Sequence, residues 1–400
     1  MISRPLKLPG DCGGNLDSWG ITESIQYFSR RSVFDRAIIF SNGEVDLEDE
    51  FEDFSCYIFN HEYITLRDLL LDSNFRGGGI SVINSFRITI DNCYIVHFTT
   101  NGILVHGSRD TYIRNSFLGQ HITSDSDCDE EDFSGTAINL KMSKDNAVTD
   151  VIIFSAGIGI MVSGIANTLT RVHCYNKASH YGGIGICLRL PGLTVTHIVN
   201  CYMDYAGIVA EDPVQLHISN IYFLGDVFIL FKSINGVIRG VNIVDNMFTG
   251  SNRGVDIVQL DQSEGPFKTI DQVVIDQNNV SGMNLKVTVA RAVKEGNGSS
   301  WVIDFNYVLL FPNLVNHVQY TLSTTGSGSG SFPKHALRNV LENRVVVESD
   351  RPIQATVYVT VHQIPMSNGW TDLENHRKEE MKAQEGWKFR LPTGYTSNSN

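Results

Sequence analysis

Through the middle of this 400-residue chain, a hydrophobic strand breaks at an Asn or Asp turn and a strand of Gly-Ile type soon follows. The first half of the unit reads Ile88-Thr-Ile-Asp-Asn-Cys-Tyr-Ile95, Leu169-Thr-Arg-Val-His-Cys174 and Ile198-Val-Asn-Cys-Tyr-Met203. The second half reads Gly102-Ile-Leu-Val105, Ala137-Ile-Asn-Leu140, Gly159-Ile-Met-Val162, Gly185-Ile-Cys-Leu188 and Gly207-Ile-Val-Ala210. Its Ile residues fall at 103, 138, 160, 186, 208 and 229, in steps of 35, 22, 26, 22 and 21. A repeat of about twenty residues built only of strands and turns specifies an all-β solenoid. Each coil stacks on the next, so hydrogen bonds run between coils and the Ile side chains form interior ladders. The long first step is one coil plus the insertion Gln120-His-Ile-Thr-Ser-Asp-Ser-Asp-Cys-Asp-Glu-Glu-Asp-Phe133.

The remainder divides by composition. Residues 1–60 have weak periodicity and read as an irregular, truncated N-terminal part of the solenoid. Coils fill 61–284. Residues 285–365 form a small C-terminal β region that helps to cap the rod, with the alternating strand Ala355-Thr-Val-Tyr-Val-Thr-Val361. Residues 366–400 are a charged, partly disordered tail. A net charge of −13, with runs such as Leu47-Glu-Asp-Glu-Phe-Glu-Asp53, argues against nucleic acid. No apolar run approaches the ~20 residues a membrane span needs, and the opening residues do not read as a signal peptide. Seven cysteines lack paired or metal-type spacing. Cys93 and Cys201 each follow an Asn at equivalent coil positions and read as packing. Two sequons, Asn279-Val-Ser281 and Asn297-Gly-Ser299, fit a secreted protein.

Strand faces alternate, so the residue three beyond each inner Ile points outward. That column reads His106, Lys141, Ser163, Arg189, Glu211 and Lys232. Three cations in a row on an acidic protein match an extended polyanion; an ordinary polar solvent face is the alternative. The neighbouring column (Leu104, Asn139, Met161, Cys187, Val209, Leu230) is largely apolar. It reads as a sugar-ring platform, a covered surface or a sign of reversed facing. The insertion brings Asp125, Asp127, Asp129, Glu130, Glu131 and Asp132 beside the same face. Glycoside hydrolysis needs two carboxylates, one protonated and one ionised, and clustering raises the pKa of some members. A solvated acidic loop is the plainer reading. A calcium loop fits poorly, because the required Gly and distal Glu are misplaced. His180 precedes an outer-face strand, and Glu211 between Arg189 and Lys232 reads equally as an ion-pair partner.

The series Ile64-Thr-Leu-Arg-Asp, Phe75-Arg-Gly-Gly-Gly, Asn92-Cys-Tyr-Ile, Ser116-Phe-Leu-Gly-Gln-His121, Phe133-Ser-Gly-Thr-Ala-Ile-Asn-Leu, Val172-His-Cys-Tyr-Asn-Lys-Ala, Glu211-Asp-Pro and Val274-Ile-Asp-Gln-Asn-Asn279 resembles the plant polygalacturonases of the quartet type, across roughly residues 55–315. These belong to the pectin lyase-like group. The resemblance implies a right-handed parallel β-helix, demethylated pectin as substrate, no cofactor, and secretion to the cell wall. Members begin further upstream with a signal peptide, so the resemblance implies a chain missing that part. The Asn-Thr-Asp, Asp-Asp, Gly-His-Gly and Arg-Ile-Lys motifs of ordinary polygalacturonases are absent in that form. Asp129-Glu-Glu-Asp132 leading into Ala137-Ile-Asn-Leu-Lys141 is similar to their Asp-Asp segment. By that likeness Asp129 and Asp132 are the acid/base candidates, Glu130 and Glu131 near substitutes, and His180 the loose counterpart of the Gly-His-Gly histidine. Lys141 and Arg189 would then bind galacturonate carboxylates, with His106, Glu211 and Lys232 along the same track. The expected partner is an acidic polysaccharide and the expected state a monomer. Two other functions fit the same residues: a pectate or pectin lyase acting by β-elimination with Arg189 as base, and a non-catalytic pectin-binding rod.

Overall fold

The computed structural model describes residues 6–7, 38–40, 61–120, 134–175, 184–189, 195–324 and 332–363. Among these there is no helix, and none therefore long and apolar enough to cross a membrane. Two long parallel sheets, with the short parallel pair His61–Glu62 and Ser85–Phe86 beside them, make the rod among the described residues. The first has ten strands in chain order, from Leu6–Lys7 and Ile38–Phe40 through Ile80–Ile83, Asn101–His106, Ser134–Lys144, Ala156–Ile165, Ile184–Arg189, Gly207–Glu211 and Ile229–Lys232 to Val258–Asp261. The second has sixteen, arranged as two flanks that meet at a corner. One flank carries Thr89–Asp91, Tyr112–Arg114 and Thr196–Val199; the other carries Tyr94–Val96, Phe117–Gly119 and Tyr202–Asp204. Parallel strands linked by crossovers take the right-handed turn. The protein is thus a right-handed parallel β-helix. Each coil has three strand segments where the sequence reading distinguished two, because the segment after the Asn turn is itself a strand.

The corner explains the Asn/Asp punctuation. One residue between the flanks takes positive φ in successive coils: Asp68 (59°), Asn92 (52°), Asn115 (52°), Asp150 (55°), Arg171 (51°), Asn200 (57°), Asn220 (54°), Asp245 (56°) and Gln277 (57°). Asn and Asp tolerate this left-handed conformation best among residues with a Cβ, so they mark the bend in all of these coils but the two that place Arg171 and Gln277 there. Cys93 and Cys201 follow two of these corners and are buried. Burial pushes both thiols up to about 11 and their Sγ atoms donate to backbone carbonyls, which makes them packing groups.

The inner ladder of the first sheet is in register. Ile80, Ile103, Ile138, Ile160, Ile186, Ile208, Ile229 and Val258 stand opposite one another. All are 0–1% exposed. Each such side chain is worth about 1.5–3 kcal/mol of burial, so the ladder alone is a large part of the stabilisation. Ile38 lies opposite Ile80, so the sheet continues upstream of the clear periodicity. Strands of two or three residues show no alternation to read.

The far end of the rod is closed. Leu310 and Phe311 pack into the rod core. A separate antiparallel sheet, Val289–Asp304, Arg344–His362 and His317–Thr324, builds its own core around Trp301, Phe305, Val345, Val347, Val357 and Val361. The amide of Thr288 donates to Ile275 O at 3.0 Å and that of Gln363 to Thr288 O at 2.9 Å, joining this sheet to the last coil.

Asp212, in the Glu211-Asp-Pro213 turn, has a structural role. Its carboxylate is 6% exposed and accepts amide protons from Ile234 (3.1 Å), Asn235 (2.6 Å), Gly236 (3.1 Å) and Val237 (3.2 Å) of the next coil. Removing it strands four donors. Asp212→Ala is expected to destabilise by about 2–4 kcal/mol, read as a lower denaturant midpoint at unchanged slope.

Candidate active site

The outward column forms as the alternation requires. His106 lies opposite Lys141, Lys141 opposite Ser163, Arg189 opposite Glu211, and Glu211 opposite Lys232. Val162 lies opposite Leu188, which places Ser163 and Arg189 in neighbouring rungs. The column continues to Asp261. At one inter-strand spacing per rung, His106 and Lys232 stand about 24 Å apart, and Lys141 and Arg189 about 10 Å apart. The facing is settled by burial. Val105, Leu140, Val162, Leu188 and Ala210 are fully buried, whereas His106, Lys141, Ser163, Glu211 and Lys232 are half-buried and Arg189 is exposed. The neighbouring column of Leu104, Asn139, Met161, Val209 and Leu230 is half-buried too, with only Cys187 fully covered. It is an apolar strip lying beside the polar one.

Charge along the column is mixed. Arg189 Nε lies 3.4 Å from Glu211 Oε2. The Lys232 ammonium helps to depress Asp261, after the stronger hydrogen bonds from Ser263. Three cations therefore face two carboxylates, a more balanced track than the sequence column suggests, with Lys141 the cation that no acidic neighbour engages among the described residues. Burial first, then Lys141, holds the His106 imidazole below its usual range.

Two asparagines join this site that the outer-column reading did not single out. Asn139 Nδ2 donates to Asn101 Oδ1 at 3.1 Å across adjacent strands. Asn139 Oδ1 and His106 Nδ1 are buried with no hydrogen-bond partner among the described residues. Orphaned buried polar atoms are costly, so this pair is a polar spot beneath the outer face that packing alone does not explain. Asn101 directly precedes Gly102-Ile103, so an Asn at the mouth of a Gly-Ile strand is the signal that could have found it.

Asp129, Glu130, Glu131, Asp132 and His180 lie outside the described residues. Their flanks are defined. Gln120 Nε2 donates to Phe98 O at 2.7 Å and Ser134 O at 2.8 Å, drawing together the two ends of the acidic insertion. The chain re-enters the first sheet at Ser134, on the strand that carries Asn139 and Lys141. The segment holding His180 runs from Tyr175 to Ile184 and re-enters the same edge two strands further along. Among the described residues there is no cluster of three His, Cys, Asp or Glu side chains suited to a metal ion.

A contrasting surface runs along the second sheet. Tyr94, Phe117, Ile152, His173, Tyr202 and Tyr222 are in register on its outer side. Neighbouring rings lie 5.8 Å (Tyr94 and Phe117), 4.7 Å (His173 and Tyr202) and 6.1 Å (Tyr202 and Tyr222) apart. This column has no Lys or Arg, so it offers a polyanion nothing to pair with.

No family model matches the chain. Solved structures it resembles include the tailspike gp49 of Pseudomonas phage LKA1, at TM-score 0.40 and 9% identity over 76% of this chain and 64% of that one. A tailspike mutant of E. coli bacteriophage HK620, solved with a pentasaccharide, matches at TM-score 0.38 and 7% identity, over 75% of this chain and 69% of that one. The sequence comparison is far stronger: the chain is 61% identical over 364 residues to the polygalacturonase QRT3 of Arabidopsis thaliana, covering 91% of this chain and 73% of that protein. At that identity and coverage, the chain belongs to the polygalacturonase family.

Proposed function

We propose that this protein hydrolyses the α-1,4-galacturonan backbone of pectin by carboxylate acid/base catalysis. The observation that carries the reading is the in-register column that sets Lys141 and Arg189 on one outer face, two rungs apart, on the sheet whose edge receives the acidic insertion. Kinship with a protein named polygalacturonase supplies the substrate class. In this reading Lys141, Arg189 and Lys232 hold successive galacturonate carboxylates, Glu211 orients Arg189, and His106, Asn101 and Asn139 bind sugar hydroxyls. Of the acids in the insertion, Asp129 and Asp132 supply the general acid and the base or nucleophile, with Glu130 and Glu131 as their nearest substitutes and His180 orienting one of them. Arg189 is a poor base for β-elimination, because guanidinium stays protonated and Glu211 stabilises its charge. The protein acts as a monomer outside the cell, in the wall; the exposed Asn279 and Asn297 leave both sequons accessible to glycosylation.

Product analysis tests the reaction type. Polygalacturonate treated with the protein should gain reducing ends and no ultraviolet-absorbing unsaturated sugars. Unsaturated ends would establish a lyase, and binding without cleavage a non-catalytic rod. Lys141→Ala should raise KM for oligogalacturonate by about tenfold or more, the worth of a charge-assisted contact, while kcat changes little. A fall in kcat at unchanged KM would place Lys141 in the chemistry instead.

A further inference from the structure

The C-terminal antiparallel sheet turns one face onto its own core, and among the described residues the other is open. On the open face Arg291, Thr360 and Gln319 form one cross-strand row, and Val293, Tyr358 and Thr321 the next. The row on the other side brings in His362 and His317, whose rings lie 5.6 Å apart. The Arg291 and Tyr358 rows line a groove of about 460 Å³, within the range of small-ligand sites. Tyr358 is 49% exposed at its centre, although a Tyr in the middle strand of a sheet is well placed to be covered. Arg291 is exposed and has no ion-pair partner among the described residues. Elsewhere on this sheet Arg338 is bound to Glu348 at 2.7 Å and Arg344 to Asp304 at 3.0 Å. The nearest carboxylate on the open face along Arg291's own strand is Glu295, two rows away.

We propose that this groove is a second carbohydrate site, separate from the track on the first sheet, and that it takes a uronic acid residue of a pectin chain. The Tyr358 ring offers a flat apolar face for a pyranose to stack on. Arg291, one row along and one strand over, offers two parallel N–H donors to a sugar carboxylate, a pairing a neutral sugar cannot make. Gln319, Thr321 and Thr360 supply donors and acceptors for ring hydroxyls. Charge complementarity selects the occupant: an exposed guanidinium with no carboxylate within ion-pair reach among the described residues favours an acidic sugar. A tethered second site raises the effective concentration of polymer near the rod without any new contact in the track. The inference rests on galacturonan being the substrate.

The test compares the full-length protein with Tyr358→Ala and Arg291→Gln. Retention on immobilised polygalacturonate should weaken about tenfold or more in each. Turnover of a short oligogalacturonide, and the circular dichroism spectrum, should stay unchanged. Retention of Arg291→Gln on fully methyl-esterified pectin should equal that of the unaltered protein, because no carboxylate remains to pair. Unchanged retention of both variants on polygalacturonate, beside normal hydrolysis, would overturn the groove and leave the proposed activity standing. Equal weakening of Arg291→Gln on both polymers would overturn the acidic-sugar assignment. If the unaltered protein neither binds nor cleaves galacturonan, the activity reading and the groove fall together.

Discussion

Asp132→Asn is expected to cut hydrolysis of polygalacturonate by about 10²–10⁴-fold, the usual contribution of one positioned proton-transfer group. The amide keeps the shape of the carboxyl and loses both its proton and its charge, so folding and binding should survive. Asp129→Asn should behave alike. Glycoside cleavage needs one carboxyl protonated to release the leaving oxygen and a second ionised to act from the other side. In the proposed reaction the acids of the insertion, Asp125, Asp127, Asp129, Glu130, Glu131 and Asp132, would supply both states, since neighbouring negative charges raise the pKa of a carboxyl. Its base is drawn together by Gln120 at the strand that presents Lys141. Reducing-sugar release by the purified variants is the measurement. Full activity in both would remove these residues from the chemistry and shift attention to Glu130 and Glu131. The same assay across pH should show a bell-shaped profile whose acid limb flattens in the variant that has lost the ionised partner.

Ile160→Asp should prevent folding altogether. Ile160 is wholly buried, between Ile138 on one coil and Ile186 on the next. A carboxylate there would have no partner in an apolar stack, and burying an unpaired charge is among the costliest changes a core can suffer. Ile160→Ala should cost about 2–5 kcal/mol and Ile160→Val about 0.5–1.5 kcal/mol, a graded series that separates cavity from charge. Ser163→Asp is the informative control. Three residues on, the same side chain faces outward beside Lys141. It should leave the denaturant midpoint nearly unchanged and weaken binding of polygalacturonate, because it sets a negative charge in the anion track. Soluble yield and denaturant unfolding read the first set, and affinity electrophoresis the second. A folded Ile160→Asp protein would mean the ladder is not the core.

Much of this fold is legible from the residues because a β-coil repeats its own constraints. Each turn of the rod must place a β-branched side chain inside and a turn-tolerant residue at the corner, so Ile160 and Asn200 announce their positions. Periodicity fails where an element is too short to alternate, as at Leu6–Lys7 and Ile38–Phe40, which nonetheless pair into the first sheet. The site was legible in register and less so in chemistry. The spacing placed His106, Lys141, Arg189, Glu211 and Lys232 in one column. It gave no hint that the Asp212 carboxylate would turn to four amides of the next coil, since that depends on the path of a turn. Nor did it reveal the bond between Asn101 and Asn139, which joins residues in different coils. The Arg189 and Glu211 pair was foreseeable as soon as the column was drawn, because opposite charges in adjacent rungs meet.

The most direct test is a crystal structure of the Asp132→Asn protein soaked with an oligogalacturonide. The account predicts the sugar chain lying along the first sheet from His106 towards Lys232, with carboxylates at Lys141 and Arg189 and hydroxyls reaching His106 and Asn139. A chain seated instead along Tyr94, Phe117, Tyr202 and Tyr222 of the second sheet, with the cationic column bare, would contradict it.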